Sequence, residues 1–159
     1  MFLTVHSTAG IFIGLNVTNP GGAFLTGWLS HYFLDIIPHG DENFKDTTIK
    51  GMATKALFDH ALVLINLFII WRFFAINLLA PPIIAGLIGS VLPDYLMGIH
   101  KLTANKKLNL LKIIHKILDY FEDFHSYCHF NIIKYECSIQ NGMITQATFL
   151  LLLWIFILI

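Results

Sequence analysis

The sequence predicts an all-α fold: a membrane-embedded, up-and-down helical bundle with an amphipathic surface helix and a C-terminal transmembrane helix. Three observations predict it. Of the 159 residues, 56% are hydrophobic and only 13% charged, with mean hydropathy +0.69; a soluble domain is about a quarter charged. Long apolar runs are divided by strong breakers, Asn19-Pro20-Gly21-Gly22 and Pro81-Pro82. Finally, His31, Asp35 and His39 recur four residues apart inside an apolar stretch, a spacing that stacks side chains on one helix face.

Length and charge bound the rest. A chain of 159 residues is most simply one domain. It divides into a metal-site bundle (1–100), an amphipathic helix with its linker (101–142) and a final membrane helix (143–159). Ten basic and ten acidic residues cancel, so no net field favours nucleic acid. Cys128 and Cys137 have no CxxC spacing and give no disulfide framework. The opening Met1-Phe2-Leu3-Thr4-Val5-His6 lacks the basic region of a secretory signal, so the first helix is expected to belong to the mature protein.

The first helix is expected over 4–18, with Gly10 and Gly14 four apart so that another helix can come close. Asn19–Gly22 forms a tight turn, and the second helix covers 22–37, stopped by Pro38. The polar run 38–52 reads as a loop. The third helix, Ala53 to Leu79, is the best transmembrane candidate. Pro82 opens a fourth helix that reaches Leu92, where Pro93-Asp94 ends or kinks it. Over 105–130, Leu110, Ile114, Leu118, Phe121 and Phe124 recur at helical spacing opposite Asn109, Lys112, Lys116, Asp119 and Asp123. That is an amphipathic helix lying on a bundle or a membrane surface. An irregular link over 131–142 leads to seventeen almost wholly apolar residues, Met143 to Ile159. These reach about 25 Å, short of the roughly 30 Å hydrocarbon core.

Chain direction then collects the polar groups. If the first helix begins at a near side, the second returns there, the third starts there and the fourth ends there. His6, Asp35, His39, Asp59, His60 and Asp94 meet at that end, with His31 one to two turns deeper. A charge at mid-bilayer costs roughly 2.5–3.5 kcal/mol, so such a group needs an offsetting partner, and a divalent cation provides one. For a single histidine or aspartate, a backbone hydrogen bond or a helix cap is the better explanation; three in register reverse that preference. His125 falls on the apolar face of the amphipathic helix and His129 follows four later, a second inward ligand pair that alone is a weak signal. His100 and His115 read as surface residues. Most lysines (Lys45, Lys50, Lys55, Lys101, Lys106, Lys107, Lys112 and Lys116) lie on near-side segments, and only Arg72 is far. The positive-inside rule therefore turns the site to the cytoplasmic face of an inner or plasma membrane.

His31-Tyr32-Phe33-Leu34-Asp35 followed by Pro38-His39 resembles the H-x3-D…P-x-H signature of the zinc-dependent phospholipase C and S1-P1 nuclease superfamily. The wider pattern resembles the small membrane-bound metal-dependent hydrolases grouped with it: His6-Ser7, Asp59-His60 and Gly89-Ser90-Val91-Leu92-Pro93-Asp94. The likeness spans the first hundred residues or so. It implies that His31, Asp35 and His39 are metal ligands, with Asp35 bridging. The chain departs from the soluble enzymes in three ways. Its later histidine is closer to the aspartate, the N-terminal tryptophan is missing, and His125-x3-His129 stands where they carry H-x3-E.

Together these features lead to the expectation of an integral-membrane, metal-dependent hydrolase of phosphoesters. Its metal ligands are His6, His31, Asp35, His39, His60, His125 and His129, holding one to three divalent ions, zinc first. Asp59 or Asp94 accepts the proton of an activated water. Membrane lipid and an anionic phosphoester are the expected partners. The alternatives are a divalent-metal transporter or store, a bis-histidine haem protein, and a non-catalytic adaptor with a structural polar cluster. Asp35 between His31 and His39 disfavours haem. No nucleophile elbow, phosphate loop or Cys-His pair is present.

Overall fold

The structure, a computed structural model, describes residues 1–40, 49–103, 112–133 and 137–159, without the side chains of 49, 112–115, 129 and 130. Among the described residues there are six helices and no strand: α1 Leu3–Asn16, α2 Pro20–Ile36, α3 Ile49–Phe73, α4 Pro81–Thr103, α5 Lys112–Phe130 and α6 Ile139–Leu158. Three are long and apolar enough to cross a membrane, over Lys50–Phe73, Pro81–Thr103 and Ile139–Leu158.

Helix α1 is the centre. It touches α2, α3, α4 and α6, while α5 lies against α2 and α4. From Leu3 to Ile11 every residue of α1 is buried, the pattern of a helix surrounded on all sides. The α1–α4–α2 seam is built on glycine. A Cβ at Gly10 would fall on the Gly86 carbonyl, one at Gly27 on the same carbonyl, and one at Gly89 on the Phe24 carbonyl. Backbones approach this closely only where side chains are missing. The apolar core of Ile11, Ile70 and Ile83, with Leu67, Phe74 and Leu87 around it, occupies the end where α1 finishes and α4 starts. The polar groups occupy the other end.

Several boundaries differ from the sequence expectation, each for a local reason. Asn19 caps α2 by accepting from the Gly22 N–H at 2.9 Å and Pro20 takes the first helical position, so the turn and the helix start overlap. Helix α3 stops at Phe73, because Ala75 adopts left-handed backbone (φ 55°). Helix α4 does not end at Leu92; it continues through Pro93 to Thr103. A proline inside a helix forfeits one ladder bond, a loss that tight neighbouring helices help to offset. Helix α6 starts at Ile139, capped by Ser138. Its 20 residues therefore span about 30 Å, the full hydrocarbon thickness. The heart of the expected 38–52 loop, residues 41–48, and the start of the amphipathic helix, residues 104–111 with Asn109 and Leu110, lie outside the described residues.

Outward faces are apolar. Leu64, Ile65, Phe68 and Trp71 on α3, and Ile144, Leu151, Ile155 and Phe156 on α6, are exposed, apolar surface of the kind that a bilayer would cover. Helix α5 is different: Leu118, His125 and Cys128 are buried while Lys116, Asp119 and Asp123 face out. His100, at the end of α4, sits between Asp119 at 2.7 Å and Glu122 and so ties α5 to α4. Deeper in the molecule, Trp154 Nε1 donates to Asn66 Oδ1 at 2.9 Å and Asn66 Nδ2 donates to Thr8 Oγ1 at 2.8 Å. This chain links α6, α3 and α1. Each such interhelical bond contributes about 0.6 kcal/mol, at most about 1.7. Asn66→Ala is therefore expected to lower stability by about 1 kcal/mol, read as a lower unfolding midpoint in detergent.

Candidate metal centre

Asp35 is the hub. Side chains on a helix lean towards its N-terminus, so the carboxylate of Asp35 leans back towards His31, one turn earlier in α2. Oδ2 lies 3.0 Å from His31 Nε2 and 2.9 Å from His125 Nε2; Oδ1 lies 3.1 Å from His6 Nε2 and 2.7 Å from the Met1 amine. All three imidazoles and the carboxylate are buried. Asp94, from α4, places Oδ1 at 3.7 Å from His31 Nε2 and 4.0 Å from His125 Nε2, with 22% of its side chain exposed. The rings of His6 and His31 stack at 4.1 Å, and His125 meets His31 edge-on at 5.0 Å.

The protons on His31 follow from its surroundings. Its Nδ1 lies 2.8 Å from the Ser90 carbonyl, which can only accept, so Nδ1 carries a hydrogen. Neutral His31 then points the Nε2 lone pair at two carboxylates, Asp35 and Asp94. That atom is buried and has no aligned hydrogen-bond partner. Facing lone pairs repel; only a proton or a cation between them reverses the sign. Metal-bound histidines show the same arrangement, one nitrogen on the ion and the other donating to a carbonyl. The spacing fits as well. One donor atom from each of His31, Asp35, Asp94 and His125 lies within 4.8 Å of the others, and a tetrahedral ion with arms of about 2.0–2.2 Å needs donor separations near 3.4 Å.

The remaining residues singled out from the sequence fall into place around this group. His39 Nδ1 donates to the Ile37 carbonyl at 2.6 Å, and its Nε2 meets the Met1 amine at 2.6 Å, on the Oδ1 side of Asp35. Asp59 accepts from the Leu3 N–H at 2.8 Å and from Thr4 Oγ1 at 3.3 Å, so it holds the first turn of α1, whose amides have no helical partner. His60 turns aside: Nδ1 donates to the Ala56 carbonyl and Nε2 accepts from the Tyr95 hydroxyl, both at 2.6 Å. The side chain of His129 lies outside the described residues.

Three contributors were not singled out from the sequence. The Met1 amine and the Ser90 carbonyl are backbone groups that residue types do not announce. Gln146 is a side chain: it accepts from the Phe2 N–H at 2.6 Å and donates to the His39 carbonyl at 2.9 Å. A Cβ at Gly142, one turn before it, would strike that carbonyl too, so α6 presses directly on the His39 segment. The available signal was the single amide within the apolar run 143–159, which needs a partner there. Burial and the neighbouring Asp35 carboxylate push the Cys128 thiol above its ordinary range, leaving no ready thiolate. No family model, curated protein or solved structure matches the chain.

Proposed function

We propose that this chain is an integral-membrane, metal-dependent phosphoester hydrolase, built as an up-and-down bundle with its site turned to the cytoplasm. The observation that carries the reading is the buried Nε2 of His31, which faces Asp35 and Asp94 with no aligned hydrogen bond, in a group of four residues that could hold a metal ion. The mixed imidazole and carboxylate donors suit zinc. When bound, the ion would polarise a phosphoryl oxygen and bring the pKa of water down to about 7. Asp35 offers Oδ2 to His31 and His125 and Oδ1 to His6.

The protein's own groups divide the work. His31, Asp35 and His125 would hold the ion; His6 stands on the other oxygen of Asp35, and His39 meets the Met1 amine that contacts that same oxygen. Asp94 is the partly exposed carboxylate of the set, so it takes the proton of the attacking water. Asp59, with both oxygens engaged by α1, positions that helix. Passage of ions through the protein is disfavoured, because Ile11, Ile70 and Ile83 close the opposite end with apolar side chains.

Protein purified in detergent, stripped with chelator and reloaded with zinc or manganese, is expected to retain about one or two ions per chain, measured by elemental mass spectrometry. Failure to load either metal ends the proposal. Asp94→Asn is expected to keep bound zinc while phosphodiester turnover falls by about 10²–10⁴-fold, the usual worth of a positioned base. Loss of zinc together with turnover would make Asp94 a ligand instead.

A further inference from the structure

Helix α5 carries two apolar faces, and only one of them is used inside the molecule. Leu118, His125 and Cys128 turn into the bundle. Ile117, Tyr120, Phe124 and Tyr127, three and four residues apart and hence on one stripe, are each more than half exposed. The charges take a third stripe: Lys116, Asp119 and Asp123 face out, with Asp119 held by His100 of α4. The exposed apolar stripe continues onto α2, where Leu25, Leu29 and Phe33, four residues apart, are also more than half exposed. Between the two helices runs an open groove of about 350 Å³, walled by Leu25, Trp28, Leu29, Tyr32, Phe121 and Phe124, with no charged residue. Its polar side-chain atoms satisfy each other, Trp28 Nε1 donating to the Tyr32 hydroxyl at 3.1 Å.

The orientation of α5 follows from its contacts. Helices α2 and α4 run in the same direction, their later halves carrying Asp35 and Asp94. Along α2 the pairs ascend, Phe121 on Trp28 at 5.6 Å and Phe124 on Tyr32 at 4.8 Å between ring centres. Along α4 they descend, Asp119 on His100 at 2.7 Å and His125 near Asp94 at 4.0 Å. A helix that ascends one of two co-directed neighbours and descends the other crosses both, so α5 lies across the bundle instead of running alongside it. A crossing helix with an apolar stripe beside a row of charges has the build of one lying in the plane of a lipid surface. Tyrosines are among the side chains enriched at that level.

We propose that the α2–α5 face is a bilayer contact additional to the three long apolar helices. Helix α5 lies in the membrane surface with Ile117, Tyr120, Phe124 and Tyr127 sunk among the upper acyl carbons. Helix α2 meets hydrocarbon along Leu25, Leu29 and Phe33. The occupant is bulk lipid, whatever its head group; water and a second copy of the chain are the rival outcomes. This placement rests on the integral-membrane part of the reading above and is independent of the metal and of hydrolysis.

Nitroxide labels read the contact directly. They are attached one at a time to Tyr120→Cys, Tyr127→Cys and Leu29→Cys, in the full chain carrying Cys128→Ala and Cys137→Ser, reconstituted in nanodiscs. Oxygen concentrates in hydrocarbon, whereas a nickel chelate stays in water. Leu64→Cys, on the outer face of α3, is the lipid reference and Asp123→Cys the water reference. The oxygen-to-nickel accessibility ratio at the three test positions is expected to be about tenfold above that at Asp123→Cys, as for a face buried about 5–10 Å into the boundary. Nickel access to the stripe overturns the proposal, and exclusion of both reagents, as in a contact between copies, overturns it as well. A high ratio at Leu64→Cys with low ratios at the test positions refutes the α2–α5 contact alone, whereas nickel access to Leu64→Cys sinks the membrane reading with it. If the cysteine-substituted chain does not fold, the unaltered protein is irradiated in the same nanodiscs with a membrane-partitioned phenyl diazirine. Adducts on the peptide holding Tyr120 and Tyr127, at the level found on the outer face of α3, uphold the contact; adducts confined to α3, α4 and α6 overturn it.

Discussion

Asp35→Asn is expected to abolish zinc binding at micromolar metal, a loss of more than about 100-fold in affinity. Removing a residue that merely orients a ligand already costs about 10–100-fold, and Asp35 faces the donor atoms directly. Both of its oxygens are used, one towards His31 and His125 and the other towards His6 and the Met1 amine. The amide keeps the shape but removes the charge and turns an N–H₂ towards one of these groups. Zinc content by elemental mass spectrometry and titration against a competing chelator give the readout. The stability of the same variant separates a metal centre from a packing cluster. A ligand present at about 1,000 times its Kd adds about 4 kcal/mol to the native state, so saturating zinc should raise the unfolding midpoint of the unaltered protein and leave Asp35→Asn where it was. In an adaptor with a merely structural cluster, paired replacement of His31 and Asp35 by leucine would be neutral or stabilising. Zinc retained at full stoichiometry in Asp35→Asn would place the ligands elsewhere.

Part of this centre could be read from the sequence because two simple rules act on it. Four-residue spacing put His31 and Asp35 on one face of α2, and alternating chain direction brought His6, His39 and Asp94 to the same end. Helical phase also turned His125 inward with Leu118, as the structure has it. What escaped the reading has physical causes. Adjacent helical residues point about 100° apart, so Asp59 and His60 could not both face α1, and His60 went to Tyr95. The depth assigned to His31 ignored the backward lean of side chains on α2, which brings Asp35 to it. The continuation of α4 through Pro93 depends on tertiary packing against α1 and α2, which local propensity does not contain. The partners of α6, Gln146 against Phe2 and His39, join the two ends of the chain, and no local pattern links positions 144 residues apart.

The tight seam behind the centre leads to the other large effect. Gly86→Leu is expected to prevent stable folding, or at least to remove more than about 3 kcal/mol, the upper end of ordinary overpacking. Ordinary overpacking displaces flexible side chains. Here the new Cβ would land on the Gly10 carbonyl and close to the Gly14 nitrogen, so α1 and α4 must separate bodily. A domain stable by only about 5–15 kcal/mol cannot absorb much of this. The consequence reaches the metal group, because α1 carries His6 while α4 carries Asp94 and the Ser90 carbonyl that fixes the proton of His31. Displacing α4 would undo the donor arrangement even in molecules that still fold, so zinc affinity should fall alongside the unfolding midpoint. Gly98→Leu is the control: same helix, same substitution, open space at its Cβ, and no expected change in either quantity. Equal midpoints for the two variants would mean that α1 and α4 are not in backbone contact, and the link between the glycine seam and the metal group would fail with it.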